Sequence, residues 1–272
     1  MFKIAAGGLW FEVGERDYGR QDCGISPKGA SDQLSFIVAR TLLGDPADYR
    51  CVEIIAPSAI TFTQEVTFCV TGAHYSHLKL NGLEIPPNTI HKALEGDTLT
   101  FGTLLHGFRT YLFATASCPV NGIRIGKSRG SYETWFGNIP KRIRVFKGPE
   151  YKYLQEPDSF FNRSWNISQN SGRMGIRLDG KQLNATRYDI VSSAVDDGTV
   201  QLTSSGPIVL MRERQTTGGY PRVFQMAQVD IDLLAQYPLR AHVAFERIER
   251  HEALRLLKER HEQIQRFRNA LL

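Results

Sequence analysis

The chain has 272 residues, of which 42% are hydrophobic and 22% charged, and a formal net charge of +5. That is enough apolar content for real cores, in one large domain or two small ones. The modest positive charge permits anionic ligands such as nucleotides or carboxylates, but no compact Lys/Arg patch with interleaved aromatics demands nucleic acid.

The first notable stretch is a glycine-rich loop, Asp17-Tyr18-Gly19-Arg20 followed by Gly24 to Gly29. A helix is predicted after it. Ser31 or Asp32 can cap its start, and Leu34, Ile37, Val38, Thr41 and Leu42 follow the spacing of one buried face. Gly44-Asp45-Pro46 stops it. Strands follow: Val66–Val70 and Thr110–Ala114 are rich in β-branched and aromatic residues, and Thr98–Phe101 alternates with period two. Asn81-Gly82 is a hairpin-turn signal. A new strand starts at Lys141–Val145, just after Pro140. A second glycine-rich loop spans Gly172 to Gly180. The run Ile208-Val209-Leu210-Met211 reads as a buried strand, and Gln215-Thr216-Thr217-Gly218-Gly219-Tyr220-Pro221 stands at its exit. A helix is expected over about 227–236, with Val229, Leu233 and Leu234 inward. Residues 246–272 contain no Gly or Pro. There, Ala253, Leu257, Ile264, Phe267 and Leu271 recur at near-helical spacing, and Glu262 and Arg266 make an i,i+4 pair. The two halves are faintly similar, each with a glycine-rich loop before an apolar strand.

Several residue types suit chemistry. Asp17 and Arg20 flank Gly19. An Arg beside such a loop can hold a carboxylate or phosphate bidentately, or it can form an internal bridge to Asp17. Lys28 is presented between Pro27 and Gly29. Arg173 and Arg177 bracket Met174-Gly175, and a glycine between arginines suits close approach to an anion; one of the two is expected to bond backbone carbonyls instead. Gln215, Thr216 and Thr217 can orient a ureido, lactam or carboxylate group, with Gly218 and Gly219 allowing close approach and Tyr220 as a cover. Glu213 is expected to pair with Arg212 or Arg214. His74 and His77 have HxxH spacing without a nearby acidic partner, so no metal site is expected. There is no GxSxG elbow and no P-loop. The cysteines Cys23, Cys51, Cys69 and Cys118 form no CxxC pair. Cys69 reads as a core residue, and Cys23 as either a loop residue or a lone reactive thiol. With no secretory h-region and no long apolar span, a soluble, cytoplasmic protein without membrane contact is expected.

The wording of several blocks adds a resemblance. RQTTGGYP at 214–221, Ser171–Gly180 ("RMGxRLxG"), Asp196–Gln201 ("GxxQ") and the loops at Asp17–Arg20 and Gly24–Asp32 occur in the same order in one family. The chain resembles the biotin-dependent carboxyltransferase-like family that includes allophanate hydrolase subunit 2, KipA and the C subunit of 5-oxoprolinase, over roughly residues 7 to 247. It departs from the family pattern at Arg16 (usually Gln), at Lys28 (often Ser), in a shortened segment after Gly126–Ser131, and around Tyr237–Arg240.

The resemblance implies a mainly β fold: two tandem cyclophilin-like β-barrels with a few short helices and a C-terminal amphipathic helix. The expected division is 1–140, 141–247 and 248–272. It implies an enzyme subunit, inactive alone, that opens 5-oxoproline with ATP (with Mg) beside an A-type (LamB/YcsF-like) and a B-type (KipI-like) subunit. Alternatives are a carboxyltransferase acting on carboxybiotin, or a KipA-type regulator of a kinase inhibitor. Arg20, Arg173, Gln215 and Thr217 are the catalytic candidates. Asp17, Lys28, Arg177, Thr216, Gly218, Gly219 and Tyr220 are the substrate-binding candidates.

Overall fold

The computed structural model describes residues 1–116 and 140–271; the Gly126–Ser131 segment and Cys118 lie outside them. By Cα proximity the chain forms two units. One takes Met1–Gly14, the chain from Asp32 onward through residue 116, and the tail from Gln263. The other takes Glu15–Ser31, here called the strap, and the chain from Pro140 to Glu262.

The first unit contains, in chain order, β1 (Phe2–Ile4), β2 (Leu9–Val13), β3 (Arg50–Ala56), β4 (Ile60–Phe62), β5 (Val66–Tyr75), β6 (Leu78–Leu80), β7 (Leu83–Glu84), β8 (His91–Ala93), β9 (Thr98–Phe101) and β10 (Leu104–Thr115). They form two antiparallel five-stranded sheets, ordered β1-β4-β9-β6-β7 and β2-β3-β10-β5-β8. Phe2, Phe62, Phe68, Leu99 and Leu112 of the two sheets share one core. Asn81 (φ 51°) and Gly82 (φ 80°) supply the left-handed pair that a two-residue hairpin between β6 and β7 requires. The helix Gln33–Leu42 starts where expected: the Asp32 carboxylate accepts from the Ser35 N–H at 3.0 Å. Its buried face differs from the expected one. Leu34, Phe36, Ala39 and Leu42 are buried while Ile37 and Val38 are only half-buried, because the helix leans on β5 and β10 with its Phe36 side.

The second unit contains β11 (Ile143–Lys147), β12 (Ser164–Ile167), β13 (Gly175–Asp179), β14 (Ser193–Ala194), β15 (Thr199–Thr203), β16 (Gly206–Leu210), β17 (Thr217–Gly218), β18 (Arg222–Met226) and β19 (His242–Arg247). Seven of these close into a barrel, β11-β18-β15-β16-β13-β12-β19, sealed by parallel pairing of β11 with β19. Among the described residues, the strands of the first unit form two sheets around one core. Phe160, of the short helix Asp158–Phe161, plugs the barrel against Phe224 and Phe245, each 4.7 Å away by ring centroids, and accepts the Trp165 indole N–H on its carbonyl at 3.0 Å. The helix Gln228–Ala235 buries Val229 and Leu234. The last helix runs Arg250–Asn269. Ala253 packs with Ala227 and Val229. Among the described residues its i,i+4 ion pair is Arg255 with Glu259, at 2.6 Å, rather than Glu262 with Arg266.

Candidate functional site

The RMG block and the Gln215–Tyr220 loop are knit together by backbone. β13 pairs with β16, so Gly175 faces Leu210. Beyond the strands the ladder continues: Met211 N–H donates to the Met174 carbonyl at 3.0 Å and Glu213 N–H to that of Arg173 at 3.1 Å. The loop then turns and pairs with β14, Thr217 opposite Ala194 and Gly218 opposite Ser193.

Gln201, on β15 and only 1% exposed, ties this loop down. Its Nε2 donates to the Tyr220 carbonyl at 3.3 Å and its Oε1 accepts from Gln215 Nε2 at 3.4 Å. The same Nε2 would lie 2.5 Å from a Cβ at position 218, which is why that position is glycine. Arg222 holds the partner strand. It grips Glu150 with two bonds of 2.8 Å and donates a third, also 2.8 Å, to the Ala194 carbonyl. The Arg222 hydrogen bond keeps the Glu150 carboxyl below its ordinary value.

Beneath the loop lies a buried charge cluster. Asp197 accepts from Arg212 Nη1 at 2.8 Å, is paired with Arg214 Nε at 3.3 Å, and binds Arg16 of the strap. Arg212 Nη2 also reaches Asp232 at 2.9 Å. Burial opposes the Arg212 charge, but the Asp232 and Asp197 carboxylates outweigh it and raise its pKa. The strap docks here a second time: Ser26 Oγ donates to the Arg212 carbonyl at 3.0 Å.

Arg173, a catalytic candidate, is 7% exposed. Its guanidinium donates to the Gly29 carbonyl at 2.8 Å, the Ser31 hydroxyl at 3.3 Å and Glu213 at 3.1 Å. It is therefore the member of the Arg173/Arg177 pair that bonds backbone. Glu213 takes Arg173 as its partner, not Arg212 or Arg214 as expected, because the RMG ladder brings Arg173 to it.

The other candidates are more open. Arg177 is exposed on β13, between inward Ile176 and Leu178. Thr217 and Tyr220 are exposed, and the Thr216 and Thr217 hydroxyls make no hydrogen bond to the described residues. Gly219 gives its carbonyl to the Ile190 N–H at 2.8 Å. Lys28 is exposed with φ 52°, between the docked Ser26 and Gly29. Arg20 and Asp17 form the internal bridge, but a loose, exposed one at 3.8 Å. Arg20 sits at the start of a one-turn helix, Gln21–Cys23, which Gly24 ends in the left-handed conformation. The structure thus gathers Gln215–Tyr220 and Arg173 around one framework. Among the described residues no hydrogen bond links Arg20 or Lys28 to that loop. Gln201, Asp197 and Arg212 were not among the candidates; the GxxQ block was the only signal for Gln201. Among the described residues no three His, Cys, Asp or Glu side chains are grouped as a metal site, and no helix is long and apolar enough to cross a membrane.

Residues 23–132 and 127–247 match the sequence model of the family described as carboxyltransferase domain, subdomain A and B. The chain belongs to this family. Among carboxyltransferase-domain relatives, it is 32% identical to the C subunit of 5-oxoprolinase from Escherichia coli (strain K12), with 94% of each chain covered. It is 29% identical to the C subunit of the Haemophilus influenzae 5-oxoprolinase, with 88% of each covered. The fold is similar to the crystal structure of the Kluyveromyces lactis urea amidolyase, with a TM-score of 0.82 at 19% identity over 98% of this chain. The chain spans 20% of that much longer protein.

Proposed function

We propose that the chain is the C subunit of an ATP-dependent 5-oxoprolinase, hydrolysing 5-oxoproline to glutamate together with A-type and B-type subunits. The observation that carries this reading is the 32% identity to the C subunit of a 5-oxoprolinase across 94% of both chains. The geometry agrees with it. A lactam needs fixed donors and acceptors at its amide, a cation at its carboxylate and cations at the transferred phosphoryl group. Gln215, Thr216 and Thr217 offer the first from a loop whose backbone is already bonded. Arg177, Lys28 and Arg20 offer exposed cations for the second and third, and Tyr220 is the cover in this reading. Arg173 acts as a positioning residue, because its donors are engaged by Gly29, Ser31 and Glu213.

The chemistry balances with two water molecules. The γ-phosphoryl group passes from ATP to the lactam oxygen, and ADP leaves. One water adds to the activated carbon, and the C–N bond breaks to an acyl phosphate. The second water releases phosphate and leaves glutamate. This chain supplies part of the site and is inactive alone. The test is glutamate release from 5-oxoproline and ATP by the chain purified with its A-type and B-type subunits. Release that stops when the chain is omitted supports the reading. No release from the assembled complex removes it and moves weight to carboxyl transfer from carboxybiotin, or to a KipA-type regulatory role.

A further inference from the structure

A groove of about 670 Å³ opens in the second unit, with Arg16 and Asp197 of the charge cluster in its lining. That size falls in the range of small-molecule sites, ~300–1,000 Å³. One wall is apolar: Phe146, Met226 and Leu257, with Leu254 57% exposed to solvent along the same wall. The strap contributes the exposed ring of Tyr18, with the Arg16 guanidinium 5.0 Å from its centroid.

The charge on this groove is unbalanced. Lys147 and Arg250 line it, both exposed, and neither has a carboxylate partner among the described residues. Arg16 also lines it with its side chain only 9% exposed, and its buried Nε has no hydrogen-bond partner among the described residues. The acids present do not cancel these cations. Asp197 is shared by Arg16, Arg212 and Arg214, and the exposed Asp196 pairs with Arg214 at 3.0 Å, which leaves Lys147 and Arg250 as the groove cations without a carboxylate among the described residues. A single carboxylate would use one of these cations. Several cations beside an apolar wall and a flat ring suit a polyanion with a flat apolar body.

We infer that this groove binds a nucleoside phosphate, the base against Phe146, Met226 and Tyr18 and the phosphates on Lys147, Arg250 and Arg16. This rests on the ATP-dependent reading above only for which nucleotide is used. The groove is also well placed for that reading. Asp196 follows directly on Val195, whose N–H donates to the Thr216 carbonyl at 3.1 Å, so the groove and the substrate loop share a stretch of chain.

The test is calorimetric titration of the intact chain with ATP, inorganic tripolyphosphate, adenosine and 5-oxoproline, repeated on a K147E/R250E double variant. Both substituted positions are exposed, and circular dichroism checks that the variant is folded. The expected result is ATP binding at least tenfold tighter than tripolyphosphate or adenosine, and a loss of at least tenfold in the variant. Absence of ATP binding, or equal binding by the variant, overturns the inference. Tripolyphosphate binding as tightly as ATP overturns it too, leaving a charge patch without a base site. The two readings fail separately. A chain required for glutamate release that binds no nucleotide sinks the groove and spares the subunit assignment; nucleotide binding without glutamate release does the reverse.

Discussion

Removing the Asp197 carboxylate should be the most damaging small change in the second unit. Asp197 is 6% exposed and serves three guanidinium groups, those of Arg16, Arg212 and Arg214. Truncating one partner of a buried pair strands the other charge and costs about 3–5 kcal/mol. Arg212 keeps Asp232 and Arg214 keeps the exposed Asp196, so Arg16 is the cation left without a carboxylate among the described residues, and Asp197→Ala belongs within that range. Its neighbour provides an internal control. Asp196 also pairs with Arg214, but its side chain is 84% exposed. Screening by water limits that pair to about 0–1 kcal/mol, and loss of the bond Asp196 accepts from the Asp197 N–H adds about 1 kcal/mol. In urea, with a slope of about 2 kcal/mol per molar, Asp197→Ala should lower the midpoint by roughly 1.5–2.5 M, and Asp196→Ala by less than about 1 M. Unfolding followed by circular dichroism, with amide exchange read on β15 and β16, separates this unit from the rest. If the two substitutions cost the same, or Asp197→Ala costs under about 1 kcal/mol, the cluster is not the clamp argued from its burial.

Gly218→Ala would drive a methyl against the Gln201 amide, so Gln201 must release Tyr220 or Gln215; overpacking of this kind costs about 1–3 kcal/mol. We expect a folded chain by circular dichroism whose complex releases markedly less glutamate. Thr217→Val, at an exposed site, should leave the melting temperature nearly unchanged while lowering kcat/KM for 5-oxoproline roughly tenfold, the loss of one substrate hydrogen bond. Glu150 carries a pH prediction. Its folded pKa is depressed by Arg222, so its contribution is present above its unfolded pKa and fades as pH falls through the lower, folded one. Amides of β14 and β17 should therefore lose protection at strongly acidic pH, whereas in Glu150→Gln their protection should be low from the start and change little with pH. Thiol labelling at pH 8, mapped by mass spectrometry, should modify exposed Cys23 and spare Cys51 and Cys69, since burial pushes the Cys69 thiol up to about 12.

Local rules located much of this fold. The Asp32 cap, the Asn81-Gly82 hairpin and the apolar strand before Gln215 are each set by a few adjacent residues, and each stands where the sequence puts it. Period-two alternation on β13 also separates Arg177, outward, from Ile176 and Leu178, inward. What the sequence conceals is pairing at long range. Arg16 and Asp197 are 181 positions apart, and Arg173 and Gly29 are 144 apart. Nothing in either neighbourhood names the other. Arg173 thus reads in sequence as a ligand-binding cation beside a glycine, although its Nη1 and Nη2 bind Gly29 and Ser31 of the strap and Glu213. The helix Gln33–Leu42 shows the same limit on a smaller scale, because spacing defines an apolar stripe but the sheet beneath decides which side of it is covered.

The strap has a consequence for how the protein is made and how it can be divided. Residues 15–31 leave the ribosome long before Asp197 and Arg212, so the barrel that needs them cannot be finished until well over half the chain has been synthesised. In the interval the first unit has its strands through β10 available to pair, while the strap waits without its anchors. The same threading means that no single cut in the gene separates the two units. A fragment beginning near residue 140 would keep the barrel strands yet lack Arg16, Ser26 and Gly29, and would present Asp197 and Arg173 with fewer partners than they hold in the whole chain.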